Sequence, residues 1–566
     1  MKFDELLGEI GEFGPFQKRI YFMVCFTAIV GSYRAMSPVF LLEITNYRCK
    51  IPFLENDTYA VQDDNHKQLI ERFIPQVSDS YSKCTLYDVH NNSSRADSNT
   101  TQYTCDAWVY DKSVIQSSGP TDFNMVCDNE ILRSHSNMID FAGGLFGALV
   151  CGPIGDMFGR KKALIGTVVI NSLANVAIAQ SVNFAMFAVF NFVLGFTGMA
   201  MFMLAFVLAM EFVGPSKRTF AGVVIEYFWA AGLFLLTGMA YLIRQWRHLR
   251  LALGIPPILF VTYWWLIPES PRWLISRGRT AEANAIIKKI AKSNKATLRD
   301  TVMSDLSVEE DVQQTPLWST CTSPVLVMRS VAVFFNWFAI NIVYYGLSLN
   351  VGNLSGDIYL NFFISCLMEL IGSILCHLLM NKVGRKTILC SSMILGGLTC
   401  TSSLFPLIYG NSCKILFHLI AVKMNIYDNM VLVLQQHATE WILIAITMVG
   451  KLCAATAFTV MYIFSAELFP TTLRQSAMGA CSLFEGIAGM VAPYIADLGI
   501  LTKGPLQEVL PLIVFGSLTI VAGLMAIVLP EARDQQLPET LQDAIFFGKP
   551  TPSQDQYSDV PVSDIT

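Results

Sequence analysis

Roughly twelve apolar runs of about 20 residues follow one another along this chain. About 20 residues is the length at which an α-helix crosses the hydrocarbon core of a bilayer. Lipid offers backbone amides no partner, so such runs must satisfy their own N–H and C=O groups as helices. Only 15% of residues are charged and the mean hydropathy is +0.47; a soluble protein carries about 25% charged residues. The expected class is an all-α, polytopic membrane protein. The net charge of −5 carries little meaning here, because arguments from charge to nucleic-acid binding concern soluble surfaces. No nucleic-acid partner is expected. Residues 1–18 are polar and the first run leads directly into others, which reads as a signal anchor rather than a cleaved leader.

The runs fall at about 20–42, 135–155, 163–180, 184–210, 219–241, 249–267, 326–349, 358–380, 388–409, 440–463, 475–499 and 508–529. The chain then divides into an N-terminus (1–18), a six-helix half (19–267), a polar linker (268–325), a second six-helix half (326–529) and a tail (530–566). Inside the first half, residues 43–133 are polar and too long for an ordinary connection. They hold Cys49, Cys84, Cys105 and Cys127, with Asn-x-Ser/Thr sequons at Asn56, Asn91, Asn92 and Asn99. Clustered cysteines beside glycosylation acceptors point to an oxidising side and two disulfides, with three connectivities open. The other ten cysteines lie in or beside apolar runs and read as small core residues.

Arg160, Lys161, Lys162, Lys217, Arg218, the basic linker, Lys382, Arg385 and Lys386 all fall on the opposite face. The positive-inside rule makes that face cytoplasmic, with both termini. Within the linker, Ala281–Ala291 has the apolar period of an amphipathic helix.

Short signatures recur once per half. Gly152-Pro-Ile-Gly155-Asp156-Met-Phe-Gly159-Arg160-Lys161-Lys162 joins runs 2 and 3, and Asn381-Lys-Val-Gly384-Arg385-Lys386 joins runs 8 and 9, 225 positions later. Glu211…Arg218 follows run 4 and Glu467…Arg474 follows run 10, each bracketing a helix-breaking turn. A third pair closes each half: Pro268-Glu269-Ser-Pro-Arg272-Trp273 and Pro530-Glu531-Ala-Arg533. Glycines permit tight turns, and Asp156 is placed to meet an arginine or a helix N-terminus. Breakable ion pairs on one face suit a gate between two rocking halves. The expected gate residues are Gly152, Asp156, Gly159, Arg160, Lys161, Glu211, Arg218, Arg385, Glu467 and Arg474. A plain basic loop is the bland alternative. Asn381 stands where the first loop has Asp156, so the N-terminal latch is expected to dominate.

These signatures resemble the major facilitator superfamily. Val213-Gly-Pro, Arg218-Thr-Phe-Ala-Gly222, Pro268-Glu-Ser-Pro-Arg-Trp-Leu, Val343-Tyr344-Tyr345-Gly-Leu-Ser-Leu, Ala466-Glu-Leu-Phe-Pro-Thr and the opening Phe3-Asp-Glu-Leu-Leu-Gly resemble its organic cation/anion/zwitterion branch, in particular the organic-cation-transporter-like members of invertebrates. The resemblance implies the major facilitator fold, twelve transmembrane helices in two halves with a substrate cavity at mid-membrane, and a large outer loop after helix 1. Departures are Asn381, Glu531-Ala-Arg for a more usual Glu-Thr-Lys, and Glu485, one position before the acidic residue of span 11 in cation carriers. One residue is about 100° around a helix, which turns Glu485 toward a neighbouring helix.

Charges inside spans are costly and mark function by default. Four are acidic (Asp140, Glu226, Glu369, Glu485) and two basic (Arg34, Lys451). If each base pairs with an acid, two carboxylates are left for a cation. Glu369 matches an acidic position that the family uses near its substrate; it either contacts the cation or pairs with Lys451. Lys451 and Arg34 are expected as charge partners. Glu485 and Glu226 either contact substrate or are buried, hydrogen-bonded acids. Arg34 and Asp140 also admit an interfacial reading. Trp337 and Tyr344, seven apart and so on one helical face, match the family's spacing in span 7 and would add about 0.5–2 kcal/mol per ring over a quaternary ammonium. Helix packing is their ordinary alternative.

The sequence holds no phosphate loop, no metal-spaced histidine cluster and no nucleophile–base set, so no ATP drive, metal, cofactor or enzyme activity is expected. The expected function is secondary transport of small organic cations by alternating access at the plasma membrane, driven by the membrane potential. A carnitine-type zwitterion carrier, with or without Na⁺ coupling, is the alternative. A non-transporting receptor is the remote one.

Overall fold

The computed structural model describes residues 3–77, 80–88, 101–296, 320–321, 323–405, 428–501, 509–533, 535, 538 and 541–547. Twelve helices occupy the places of the twelve runs. They are α1 Pro15–Met36, α2 Ile131–Phe158, α3 Arg160–Ala179, α4 Phe184–Phe212, α5 Arg218–Leu242, α6 from Trp246 to Leu266, α7 Pro324–Asn350, α8 Ile358–Val383, α9 Arg385–Thr401, α10 Asp428–Leu468, α11 Thr471–Ala496 and α12 Leu510–Ala526. Among the described residues ten have the length and hydropathy to cross a bilayer; α9 and α12, at 17 residues each, are shorter. In the first half α2 packs on α4 and α1 on α5; in the second α9 packs on α12 and α8 on α10. The halves meet where α2 lies against α11 and α5 against α8.

Run 6 departs from the single helix expected. It is α-helical over Trp246–Gly254, turns 3₁₀ over Pro256–Thr262, and ends in one α-turn at Tyr263–Leu266. Pro256 and Pro257 lack the N–H that an α-helix needs, and the chain takes the tighter winding instead. Helix α9 stops at Thr401, well before 409, and α10 extends beyond 440–463 at both ends.

On one side, the loop side, the chain after α1 builds a small domain. Strands β1 Tyr47–Cys49 and β6 Trp108–Tyr110 pair antiparallel, as do β2 Gln76–Val77 with β3 Ser80–Tyr81 and β4 Thr85–Tyr87 with β5 Gln102–Thr104. The helix Asp64–Phe73 buries Ile70 against Ile51, Leu86, Cys49 and Cys105. The disulfides are Cys49–Cys105 and Cys84–Cys127, each with Cα atoms 5.8 Å apart, one of the three connectivities left open above. Burial opposes the charge of Asp57, but hydrogen bonds from Arg48, the Ile51 N–H and His66 hold its carboxyl below the usual range. Asn56 is exposed on this domain, whereas Asn91, Asn92 and Asn99 lie outside the described residues.

On the opposite, linker side, the helix Thr280–Asn294 carries the amphipathic period and buries Ala283, Ile287, Ile290 and Ala291. Its last residue, Asn294, donates to Ile10 O at 2.9 Å and to Gln17 Oε1 at 2.8 Å. The linker is thereby tied to the N-terminal helix Phe3–Ile10, whose Leu6, Leu7 and Ile10 are buried.

Candidate functional site

Polar side chains from both halves converge inside the bundle. Helix α7 brings Tyr344, Tyr345 and Ser348, α8 Glu369, α10 Lys451 and Tyr462, and α11 Glu485; α5 adds Glu226 and Trp229. The Tyr344 hydroxyl donates to Glu369 Oε1 at 2.7 Å and accepts from Trp229 Nε1 at 3.1 Å, which links the halves. Lys451 Nζ lies 2.9 Å from Glu369 Oε2, an ion pair without hydrogen-bond alignment. It also donates to Ser348 Oγ at 2.7 Å and sits 3.5 Å from the centre of the Tyr344 ring. Glu369 is 5% exposed and Lys451 3%. Each charge in such a pair compensates the other's desolvation, so removing one strands its partner.

Arg34 Nη1 donates to both oxygens of Asp140 at 2.9 Å. Both side chains are largely enclosed. Tyr345 lies within electrostatic reach of Arg34, Asp140, Glu369 and Glu485, and its ring meets Phe141 of α2 at 4.7 Å. The charges of the two halves therefore face one another around this tyrosine. Glu485 is buried and accepts from the Tyr462 hydroxyl at 3.1 Å. Glu226 is partly buried and within reach of Glu369 and Tyr462. Trp337, 1% exposed, donates through Nε1 to Ser465 Oγ at 2.8 Å and packs edge-on against Tyr462.

The expected set of in-span charges missed a buried base, Arg250 of α6, which is 4% exposed. Its signal was present: Arg250 falls within the run at 249–267 but reads at first sight as part of the flanking Arg247–Arg250 cluster. Ser348, Tyr462 and Ser465 were also missed, because neutral hydrogen-bonding residues in spans carry no charge signal.

The two linker-side loops are built alike. Gly159 and Gly384 have φ of +98° and +102°, a region that residues with a Cβ avoid. A Cβ at either would collide with Glu269 or Glu531, respectively. These two carboxylates accept from the free N–H groups at the start of the next helix. Glu269 Oε1 takes Lys161 N at 3.1 Å, and Glu531 takes Arg385 N at 2.8 Å and Lys386 N at 3.1 Å. Such a carboxylate satisfies orphan donors and meets the positive end of the helix dipole. Arg160 pairs with Asp156 at 2.6 Å and with Glu211 at 3.2 Å. Arg385 grips Glu467 through Nε at 3.0 Å and Nη2 at 3.2 Å. Arg218 and Arg474 donate to carbonyls five residues back, Val213 O and Phe469 O. Lys161 Nζ stands over the Trp264 ring and Gly152 is exposed. Glu269 and Glu531 were legible as a repeated Pro-Glu but not as helix caps.

On the loop side the halves are joined directly. Arg133 of α2 lies 3.6 Å from Asp497 beyond α11 and donates to Asn353 Oδ1 at 3.1 Å. Ser134 Oγ donates to Asp497 at 2.5 Å, and His135 Nδ1 lies 2.6 Å from the Tyr494 hydroxyl. Glu43 lies beside them: burial pushes its carboxyl up to about 7, with Arg133 opposing and Asp497 adding to the shift.

A family model described as "Sugar (and other) transporter" matches residues 82–542. The organic cation transporter protein of Drosophila melanogaster is 34% identical over 98% of this chain and 96% of its own length. The organic cation/carnitine transporter 2 of Homo sapiens is 30% identical over 96% of this chain and 94% of its own. Among solved structures, the E. coli xylose transporter XylE in a partially occluded inward open conformation is similar with a TM-score of 0.56 at 16% identity, covering 92% of this chain and 100% of that one; this likeness concerns the fold.

Proposed function

The chain belongs to the sugar (and other) transporter family of the major facilitator superfamily, among the organic cation transporters, and we propose on that premise that it moves small monovalent organic cations past Glu485 and Glu226. It is a secondary transporter with twelve membrane helices. The observation that carries the reading is the pairing inside the bundle. Asp140 is engaged by Arg34 and Glu369 by Lys451, which leaves Glu485 and Glu226 beside the rings of Tyr462 and Tyr345. A cation over such rings gains about 0.5–2 kcal/mol per ring. Glu369 in this reading is the counter-ion of Lys451, and Trp337 supports Tyr462 rather than touching cargo.

The basic linker side faces the cytoplasm with both termini, and the disulfide domain faces outward at the plasma membrane; the positive-inside rule and the disulfides support this. Arg160 and Arg385 hold ion pairs inside their own halves on the cytoplasmic side, while Arg133 and Asp497 tie the halves together outside. Rocking at the α2–α11 and α5–α8 seams would exchange these states. For a uniported monovalent cation the membrane potential supplies about 2.3 kcal/mol per 100 mV, so about −60 mV sustains close to tenfold accumulation. The test is uptake of labelled tetraethylammonium in expressing cells. Depolarisation with K⁺ should lower it, and Glu485→Gln should lower it about tenfold at equal surface protein. Uptake that ignores depolarisation and survives Glu485→Gln would sink the reading. Transport of a carnitine-type zwitterion is the second reading, favoured by the additional buried base, Arg250; labelled carnitine uptake with and without Na⁺ separates the two.

A further inference from the structure

Arg250 differs from the other buried charges of the bundle. It lies on the first stretch of α6, 4% exposed, with its Nε buried and without an acceptor. A guanidinium has five N–H donors and stays charged in a protein. Among the described residues, no hydrogen bond or ion pair engages this one. A second guanidinium stands within electrostatic reach, that of Arg34, together with Asp140. Arg34 spends Nη1 on both oxygens of Asp140, and its Nε is likewise buried without an acceptor. One carboxylate therefore faces two guanidiniums, and a positive charge is left without a compensating acid in a largely enclosed place. Buried charges persist when paired or hydrogen-bonded.

We propose that Arg250 and Arg34 form an anion site in the first half, between α1, α2 and α6. It takes one small monovalent anion that accepts N–H bonds from the two guanidiniums. Two sources share that chemistry: an inorganic ion of the chloride class and the carboxylate of a solute. Tyr345 lies within reach of Arg34 and Asp140, which places the site beside the central cluster rather than at the surface. Arginine suits the task because its planar fork presents several donors to one anion. The site rests on the buried charges alone and stands whether or not organic cations are the cargo.

Thermal unfolding of the purified full-length protein tests it without any transport readout. Sodium methanesulfonate is exchanged for sodium chloride or sodium acetate at constant ionic strength. An anion that binds the folded state raises the unfolding midpoint in a concentration-dependent way. The expected result is a rise in at least one of the two anions for the natural protein, lost in Arg250→Gln and partly kept in Arg250→Lys. A rise in chloride alone assigns the site to an inorganic anion, and a rise in acetate assigns it to a carboxylate. Arg250→Gln removes an unpaired charge and is expected to fold. An unchanged midpoint of the natural protein in both anions overturns the proposal, as does an equal rise in Arg250→Gln.

Discussion

The linker-side loop of the first half and that of the second share one backbone device and differ in how their arginine is held. In both, a glycine at positive φ ends one helix, an arginine starts the next, and a glutamate from the end of the half caps it. Arg160 divides itself between Asp156 and Glu211, whereas Arg385 gives two nitrogens to Glu467. Asp156 is 57% exposed and Glu211 12%, so the pair unique to the first loop is the more solvated one. The expectation that Asp156 makes the first latch dominant thus meets an opposing fact: the second latch rests on one enclosed, bidentate acid. Shared backbone geometry fixes where each arginine sits, and the acids around it differ in number and exposure.

The comparison breaks most visibly at the glycines. Gly159→Ala and Gly384→Ala should each reduce transport at least tenfold, since the added Cβ meets both an unfavourable φ of about 1 kcal/mol or more and a capping carboxylate. Initial rates of tetraethylammonium uptake per surface molecule would measure this. A large loss in one and none in the other would mean that the two loops are not equivalent devices. Glu467→Gln comes next, with a loss of roughly five- to tenfold, against about threefold for Glu211→Gln, because Arg160 keeps a second acid. The reverse order would show that bidentate geometry does not set latch strength. Asp156→Asn should cost about twofold, the scale of an exposed i,i+4 pair at about 0.3–0.5 kcal/mol. Asn381→Asp should change less, and equal effects would erase the asymmetry between the loops.

A pH effect separates the two faces of the bundle. The linker-side latches are arginine–glutamate pairs, but the loop-side closure includes Glu43, whose carboxyl burial raises from 4.5 to about 7. The closed state therefore binds its proton more tightly than an open, hydrated one. Closure gains as pH falls through about 7, and the gain is complete below about 4.5; it is lost as pH rises. Uptake should fall about two- to threefold as external pH drops from about 8 to about 6, and Glu43→Gln should flatten the profile. An unaltered pH profile in that variant would remove Glu43 from the closure.

Much of this was legible in one dimension. The apolar runs located twelve helices, and the recurrence of Gly-Arg-Lys, Glu…Arg and Pro-Glu marked the halves and the latches. Run 6 failed as a single helix although Pro256 and Pro257 are plain in the sequence, because hydropathy alone does not register a missing N–H. Glu369 and Lys451 were recognised as possible partners, and the structure places them 2.9 Å apart. Arg250 escaped because its neighbour Arg247 belongs to the interface, where it pairs with Asp122 at 3.0 Å.

The sequence by itself determined the spans, the two-half plan, the basic face and the cysteine-rich loop, since run length and periodicity are local properties of a helix in lipid. Only the tertiary structure decided which charges are spent on one another. Arg34 meets Asp140 across 106 residues, Trp229 meets Tyr344 across 115, and Ser134 meets Asp497 across 363. Whether a buried charge is paired or available depends on distances of a few ångströms between helices, and no spacing along the chain encodes them.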